Sequence, residues 1–377
     1  DWFMMVPLLF HLVFLVPRLG AATGSISSAT SRPLRTIRAH PPTRPRIERI
    51  VRPAAARRPL RRRATEPAAS LVEEGMTGGG EKKAAEGGVL LIDHLNFNHE
   101  KGRHDLLKAF YFDVLGLSPD PRKAENIEKG KKTLWANAGI HQFHLPEAPR
   151  AQTLEGSITL AYPGLDEVTK RLEQAPAVLR DSEFSWGVRL AEYGEVQQEQ
   201  QRQQQQLAVT DPWGTQFYLK SDPEAEDPRG KQKGEPSAAL AATDFTFHVP
   251  RGANIDGIAR FYQKVLGFKV REQGRRQGEV VLEASPLQTL TFQEVAEERD
   301  VKHEELGEDD EGRPINNGAH LSLYVSDLRS AYHAADALGV VFVNHRFKRL
   351  AYSLEESIDQ CMFRLLDIVD PEDPERK

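Results

Sequence analysis

The sequence predicts a duplicated α+β fold, and three recurrences carry that prediction. Leu107–Ser118 (LKAFYFDVLGLS) and Ile258–Lys269 (IARFYQKVLGFK) share a Phe-Tyr pair, then Val-Leu-Gly, then an apolar residue. An alternating strand precedes each, DHLNFN at Asp93–Asn98 and DFTFHV at Asp244–Val249. Further along, GSITLAYPGL at Gly156–Leu165 and AHLSLYVSDL at Ala319–Leu328 recur in the same relative place. Repetition on this scale sets the architecture before any single element does.

In chain order, residues 1–70 read as an address. Phe3–Val16 (FMMVPLLFHLVFLV) is apolar, but too short and too interrupted by Pro7 and His11 for a membrane span. It suits a signal-peptide core, with LGAATGS behind it as a cleavage region. Before Ala68 the basic residues are all arginine and acids are almost absent, the composition of a transit peptide. The expectation is a bipartite signal and transit peptide directing the chain to a plastid, with the secretory pathway or mitochondrion as the alternative. The chain opens on Asp1, so its amino terminus is expected to be incomplete. Residues 71–88 read as a linker.

The first copy is expected over 89–221. Leu107, Phe110, Tyr111, Val114 and Leu115 fall on one helical face, and Gly116 stands where a left-handed C-cap ends the helix. Gly267 does the same in the second copy. After Gly156 comes a second strand and an amphipathic helix (VTKRLEQ), then LAVTDPWGTQFYL with Asp-Pro in a turn. Val196–Gln206 is a glutamine-rich run expected to be a disordered loop, and 222–240 a linker. The second copy, over 241–377, ends near Lys377 before its last strand is expected, and carries an acidic loop at Asp300–Arg313. Each copy thus reads as two βαβββ modules, side by side around a cleft.

Composition narrows the function. The net charge is −5, and acids prevail after Leu71, which argues against nucleic acid as a partner. Cys361 is the single cysteine, so an internal disulfide and a cysteine zinc site are excluded. There is no nucleotide-binding glycine loop, nucleophile elbow or HExxH motif.

The motifs DHLNFN, LKAFYFDVLGL, WANAGIHQFHLP, GSITLAYPGLDEVTKRL and DPWGTQFYL, with ATDFTFHV, IARFYQKVLGF, GAHLSLYV and DIVDPED, resemble the vicinal oxygen chelate superfamily. That superfamily includes glyoxalase I, bleomycin-resistance proteins and extradiol dioxygenases. The long motifs of the first copy are similar to those of plant and algal members.

The resemblance implies tandem domains and a divalent metal (Zn, Ni, Fe or Mn) held in a cleft by His and Glu from strand positions. A metal there acts as a Lewis acid on adjacent substrate oxygens. Position by position, the first copy offers His94 on its first strand and His144 near the end of its fourth. Ser157 stands where His is common and Tyr218 where Glu is common. Asn96, Asn98 and Gln142 share the cleft face. Tyr218 would complete the set poorly as a base, since phenols ionise near pH ~10. The second copy matches His94 with Asp244 and His144 with Thr291, and retains His320.

Three functions follow as expectations. One is a metal-dependent glyoxalase-like lyase or isomerase, or a dioxygenase, acting in the first copy. The others are a metal-free small-molecule binder and an inactive scaffold. The copies are expected to pair within the chain or in a homodimer. The loop HEKGRHD (His99–Asp105) is expected to be an exposed capping loop, the alternative being a lid that contacts an anion through Lys101 and Arg103.

Overall fold

The structure is a computed structural model. It describes residues 11–15, 88–130, 133–190, 205–223, 237–272, 276–295, 301, 310, 318–343 and 353–374. The arginine-rich segment, the 71–87 linker, most of the glutamine-rich run and most of the acidic loop lie outside the described residues.

The elements run in order. A strand β1 (His11–Leu15) is followed by β2 (Val89–Asn96), β3 (His99–Glu100), α1 (His104–Lys108), β4 (Ser118–Pro119), α2 (Ala124–Lys129), β5 (Thr133–Ala138) and β6 (His141–Ala148). Next come β7 (Gly156–Tyr162), α3 (Asp166–Glu173), β8 (Ser185–Leu190), β9 (Gln205–Thr210) and β10 (Gln216–Ser221). The second copy contributes β11 (Ala241–Val249), α4 (Ile255–Leu266), β12 (Lys269–Val270), β13 (Glu279–Ser285) and β14 (Gln288–Glu294). It closes with β15 (His320–Val325), α5 (Leu328–Ala337), α6 (Leu354–Gln360) and β16 (Arg364–Leu365).

The repeated helices form for the reasons visible in the sequence. Asn254 caps α4 by accepting from the Gly257 N–H, and Gly267 ends it at φ 70°. Phe261, Tyr262, Val265 and Leu266 bury the helix's apolar face. In the first copy α1 continues as a π-helical turn over Ala109–Val114, with the Leu115 N–H reaching back to the Phe110 carbonyl. Gly116 then takes a left-handed φ of 64°.

Three βαβββ modules are complete among the described residues and a fourth contributes β15, α5 and β16, but the two modules of one copy do not share a sheet. One sheet has the order β12-β13-β14-β11-β7-β10-β9-β8, which joins the second module to the third. The other follows β16-β1-β15-β2-β6-β5-β4, with β3 alongside β6, and joins the first module to the fourth. In both sheets two first strands meet antiparallel (β11 with β7, β15 with β2); β7, β11 and β2 each run parallel to the fourth strand of their own module, and β15 runs parallel to β1. The expectation of one cleft per copy is therefore corrected: each sheet takes half of each copy. A first strand offers its free edge to any other first strand, and the alternating pattern is the same whichever partner it takes.

Three local expectations also change. The fourth module's last strand is β1, which runs parallel to β15 with His11 opposite His320. The apolar run read as a signal-peptide core thus occupies the position where the second copy lacked a strand. Gln205 and Gln206 begin β9 rather than extending a loop, because their backbones pair with β8 and β10. Ser237, Ala239 and Leu240, at the end of the expected linker, are buried. The linker passes close to Gly139, where a Cβ would collide with the Leu240 carbonyl.

Candidate functional site

The pairing of the first and fourth modules decides the site. On β2, Asp93 is an extra residue: Ser322 pairs with His94 and Leu323 with Ile92. A bulge of this kind re-aims a side chain. Here Asp93 Oδ2 accepts from His94 Nδ1 at 2.7 Å. The second sheet has the same irregularity at Thr243, immediately before Asp244.

His320 enters from β15, facing β2. Its Nδ1 donates to the Gly318 carbonyl at 2.9 Å, an oxygen that also accepts from Asn96 Nδ2 at 2.7 Å. With Nδ1 a donor on both rings, each Nε2 carries a lone pair in the neutral form. Those two nitrogens face each other at 3.1 Å. Two lone pairs at that distance repel, and either a shared proton or a cation between them removes the repulsion. Two nitrogens each about 2.0–2.1 Å from one zinc-like ion stand roughly 3.0–3.4 Å apart, so the donor pair fits a metal.

His144 adjoins this pair without converging on it. It lies opposite Asn96 on β6, and its ring stacks on His94 at 3.8 Å and on Trp135 at 4.0 Å. Its Nε2 donates to Gln142 Oε1 at 3.1 Å. Gln142 is itself fixed, donating through Nε2 to Asp120 Oδ2 and Asn137 Oδ1. Burial, then the nearby His94, His320, Arg122 and Lys123 charges, hold the His144 imidazole far below its ordinary pKa. Its ring is neutral and sandwiched between those of His94 and Trp135.

Arg122 closes one side. Its guanidinium is held by Asp120, donates to Gln142 Oε1 at 3.0 Å, and lies 4.5 Å above the Trp135 ring. Arg122 in turn pulls the Asp120 carboxyl below its ordinary value, against the opposing effect of burial. Its side chain is 61% exposed, so a positive charge remains at the rim. Tyr324, beside Asp93, has its phenol pushed up by burial and by that carboxylate.

The remaining candidates lie elsewhere. Ser157 and Tyr218 stand on β7 and β10, in the other sheet, where Tyr218 pairs with Thr159 and its ring lies 4.2 Å from the Arg189 guanidinium. They do not join His94 and His144, because the module that carries them pairs with a different partner. Asp244 and Thr291 sit in that second sheet too. The Asp244 carboxylate accepts from the hydroxyls of Thr246, Thr289 and Thr291, so its donors are local. Asn98, by contrast, stays near the histidine pair: it is half-buried, its side chain lies against Gly318, and its backbone N–H donates to Gln152 Oε1 at 2.8 Å. Asp93, Trp135, Arg122 and Tyr324 surround the histidines. No spacing rule singles them out, although the repeat of an irregularity before both His94 and Asp244 would have pointed to Asp93.

The loop His99–Asp105 is not the exposed cap expected. His99 and His104 are both buried, while Lys101 and Arg103 point outward. The reason is β3: it pairs with the end of β6, His99 opposite Glu147, and so carries His99 inward.

Residues 249–351 match the model of a family described as a glyoxalase-like domain. Among curated proteins none matches the chain. Among solved structures, glyoxalase I from Zea mays is 12% identical, with 69% of this chain and 83% of that one covered at a TM-score of 0.39. A putative dioxygenase from Bacillus subtilis is 13% identical over 67% of this chain and 75% of that one, TM-score 0.40. The Mn(II)-bound glyoxalase from Novosphingobium aromaticivorans is 16% identical over 63% and 82%, TM-score 0.27. The chain thus carries a match to a glyoxalase-like domain over residues 249–351, and its described strands lie in two mixed sheets. Among the described residues no helix is long and apolar enough to cross a membrane.

Proposed function

We propose that this protein is a glyoxalase-like enzyme that acts on a small molecule with adjacent oxygens, in the cleft of the sheet shared by the first and fourth modules. The observation that carries the reading is the pair of Nε2 atoms of His94 and His320, 3.1 Å apart with both Nδ1 atoms already committed as donors. A divalent ion held there would act as a Lewis acid on two neighbouring substrate oxygens.

The chain's own residues do the rest. Asp93 and the Gly318 carbonyl fix the tautomers and orientations of the two rings, as the groups behind a metal-bound histidine do. Trp135 and the neutral His144 stack in series behind His94 and hold its ring in place. Arg122, locked by Asp120 and Gln142, places a positive charge at the rim for an anionic substituent. Two protein nitrogens fall short of the usual three-ligand catalytic set, so chelation by the substrate itself supplies much of the stability of the complex.

A second reading is favoured by the continuity of Asp93, His94 and His320. That chain can share one proton without a metal, as a general acid–base unit in a binding pocket. Metal analysis separates the two. Purified full-length chain, His94→Ala and His320→Ala are loaded with Mn2+, Zn2+ or Ni2+, dialysed and assayed by mass spectrometry, then titrated with catechol and a 2-hydroxy ketone. The enzyme reading expects one metal equivalent lost in both variants, and probe binding that depends on it. Probe binding equal with and without metal, and no metal difference between parent and variants, would establish the second reading.

The arginine-rich composition before Ala68 supports a plastid address. Fluorescence of residues 1–88 fused to a reporter in an algal cell tests it, and uniform cytosolic signal would overturn it. Amino-terminal sequencing of the mature protein tells whether β1 remains with the fold after import.

A further inference from the structure

We propose that His99, His104 and Glu147 form a second divalent-metal site, buried beneath the helical side of the sheet and separate from the cleft. The three come from different elements: His99 from β3, His104 from the first residue of α1, and Glu147 from the end of β6. One ligand atom from each lies within 4.8 Å of the others, and His104 Nε2 is 3.5 Å from Glu147 Oε1. The rings of His99 and His104 have centroids 5.1 Å apart.

Strand alternation keeps this cluster away from the cleft. On β6, Gln142 and His144 face the cleft, while Phe143, Leu145 and Glu147 point to the opposite, helix-covered face. A metal at one site has no ligand in common with a metal at the other.

An independent observation points to a ligand. The nitrogens of His99 and His104 are buried and make no well-formed hydrogen bond: the Leu145 and Pro146 backbone only approaches the His99 ring, and Glu147 Oε1 stands 3.5 Å from His104 Nε2. Native interiors seldom leave such groups unsatisfied. His99 is 1% exposed and His104 8%. Trp213, whose ring lies 6.3 Å from that of His99, also has its Nε1 buried without a partner. Burial, and then the neighbouring His104, push the His99 imidazole down to about 4, so it is unprotonated at neutral pH and available as a ligand.

Two imidazole nitrogens and one carboxylate oxygen suit Zn2+ best, with Fe2+ or Co2+ next. In tetrahedral coordination, ligand atoms about 2.0–2.1 Å from the metal lie roughly 3.2–3.5 Å apart, so the cluster needs only a small contraction. The site would also serve the fold. The N-cap residue of α1, Arg103, makes no side-chain cap, and β3 is only two residues long. A metal would fasten both to β6.

The test uses full-length protein carrying His94→Ala and His320→Ala, which silences the cleft pair. The protein is stripped with chelator and titrated with Zn2+ for stoichiometry and melting temperature, and with Co2+ for its visible absorption. One equivalent of Zn2+, a raised melting temperature and a Co2+ band of low-coordinate type are expected. Glu147→Gln and His104→Gln, checked for native circular dichroism, should each weaken Zn2+ binding by more than the roughly 10–100-fold lost when a group behind a metal ligand is removed. The proposal is overturned if the cleft-silenced protein takes up no Zn2+ and shows no Co2+ band. It is equally overturned if a folded Glu147→Gln or His104→Gln protein binds Zn2+ as tightly as its parent.

Discussion

Gln288 performs the work of a missing strand residue, and replacing it should loosen the cleft from behind. β2 runs beside β6 only over His94–Asn96, so Ile92 lies beyond the end of that ladder. The buried Gln288 side chain takes the vacant place. Its Oε1 accepts from the Ile92 N–H at 2.9 Å, and its Nε2 donates to the Ile92 carbonyl at 3.1 Å and the Ala242 carbonyl at 3.2 Å. One amide therefore ties β2, which carries His94, to β14 and β11 of the other sheet.

In Gln288→Leu the Ile92 N–H loses this acceptor, at about 1–3 kcal/mol, and the two carbonyls lose one donor each at somewhat less. Burial of the added apolar surface offsets about 1 kcal/mol. The expected loss is about 2–4 kcal/mol, read from urea unfolding as a lower midpoint at unchanged slope. Gln288→Glu should be worse than Leu, because it keeps the acceptor but buries a charge. A loss under about 1 kcal/mol for Leu, or Glu tolerated better than Leu, would refute the bridging role assigned to this amide.

Two further predictions concern pH. Burial raises the Asp211 carboxyl to about 7, against the opposing donation of the Thr215 and Trp213 N–H groups to its Oδ1. A carboxyl raised in the folded state contributes stability in full below its unfolded pKa of about 3.9, and loses that contribution as pH rises through its folded pKa. Stability should therefore fall by on the order of 3 kcal/mol between about pH 4 and pH 7, and Asp211→Asn should flatten that decline in thermal melts. Asp370 behaves oppositely. Arg260, with Asn254 and the Glu372 N–H, holds its buried carboxyl well below the ordinary range. Its contribution is present above about pH 3.9 and is lost as pH falls below that toward the depressed folded value. Asp370→Asn should cost about 2 kcal/mol at neutral pH and remove this part of the acid transition, measured by denaturant unfolding at pH 7 and pH 3.

Much of the first copy's site is legible in the sequence. His94 and His144 stand out because they occupy strand positions in a recurring order, and Gln142 and Asn96 because alternation puts them on the same face. The loop at His99 reads as exposed because charged residues surround it. Nothing local announces that two residues of β3 pair with the end of β6. His320 is visible as a candidate, but its strand belongs to the second copy, and it lies 226 residues from the histidine it faces.

What the sequence by itself determined is what short-range physics dictates. The helical faces around Phe110–Tyr111 and Phe261–Tyr262, the left-handed glycines Gly116 and Gly267, and the order of four βαβββ modules all follow from periodicity and backbone sterics within a dozen residues. Only the tertiary structure decided which modules share a sheet. Every first strand has the same alternating pattern and the same free edge, so local chemistry is equally satisfied by any partner. The choice is made by long-range packing and by single bridging groups such as Gln288. That choice brings His320 to His94 and leaves Tyr218 in the other sheet.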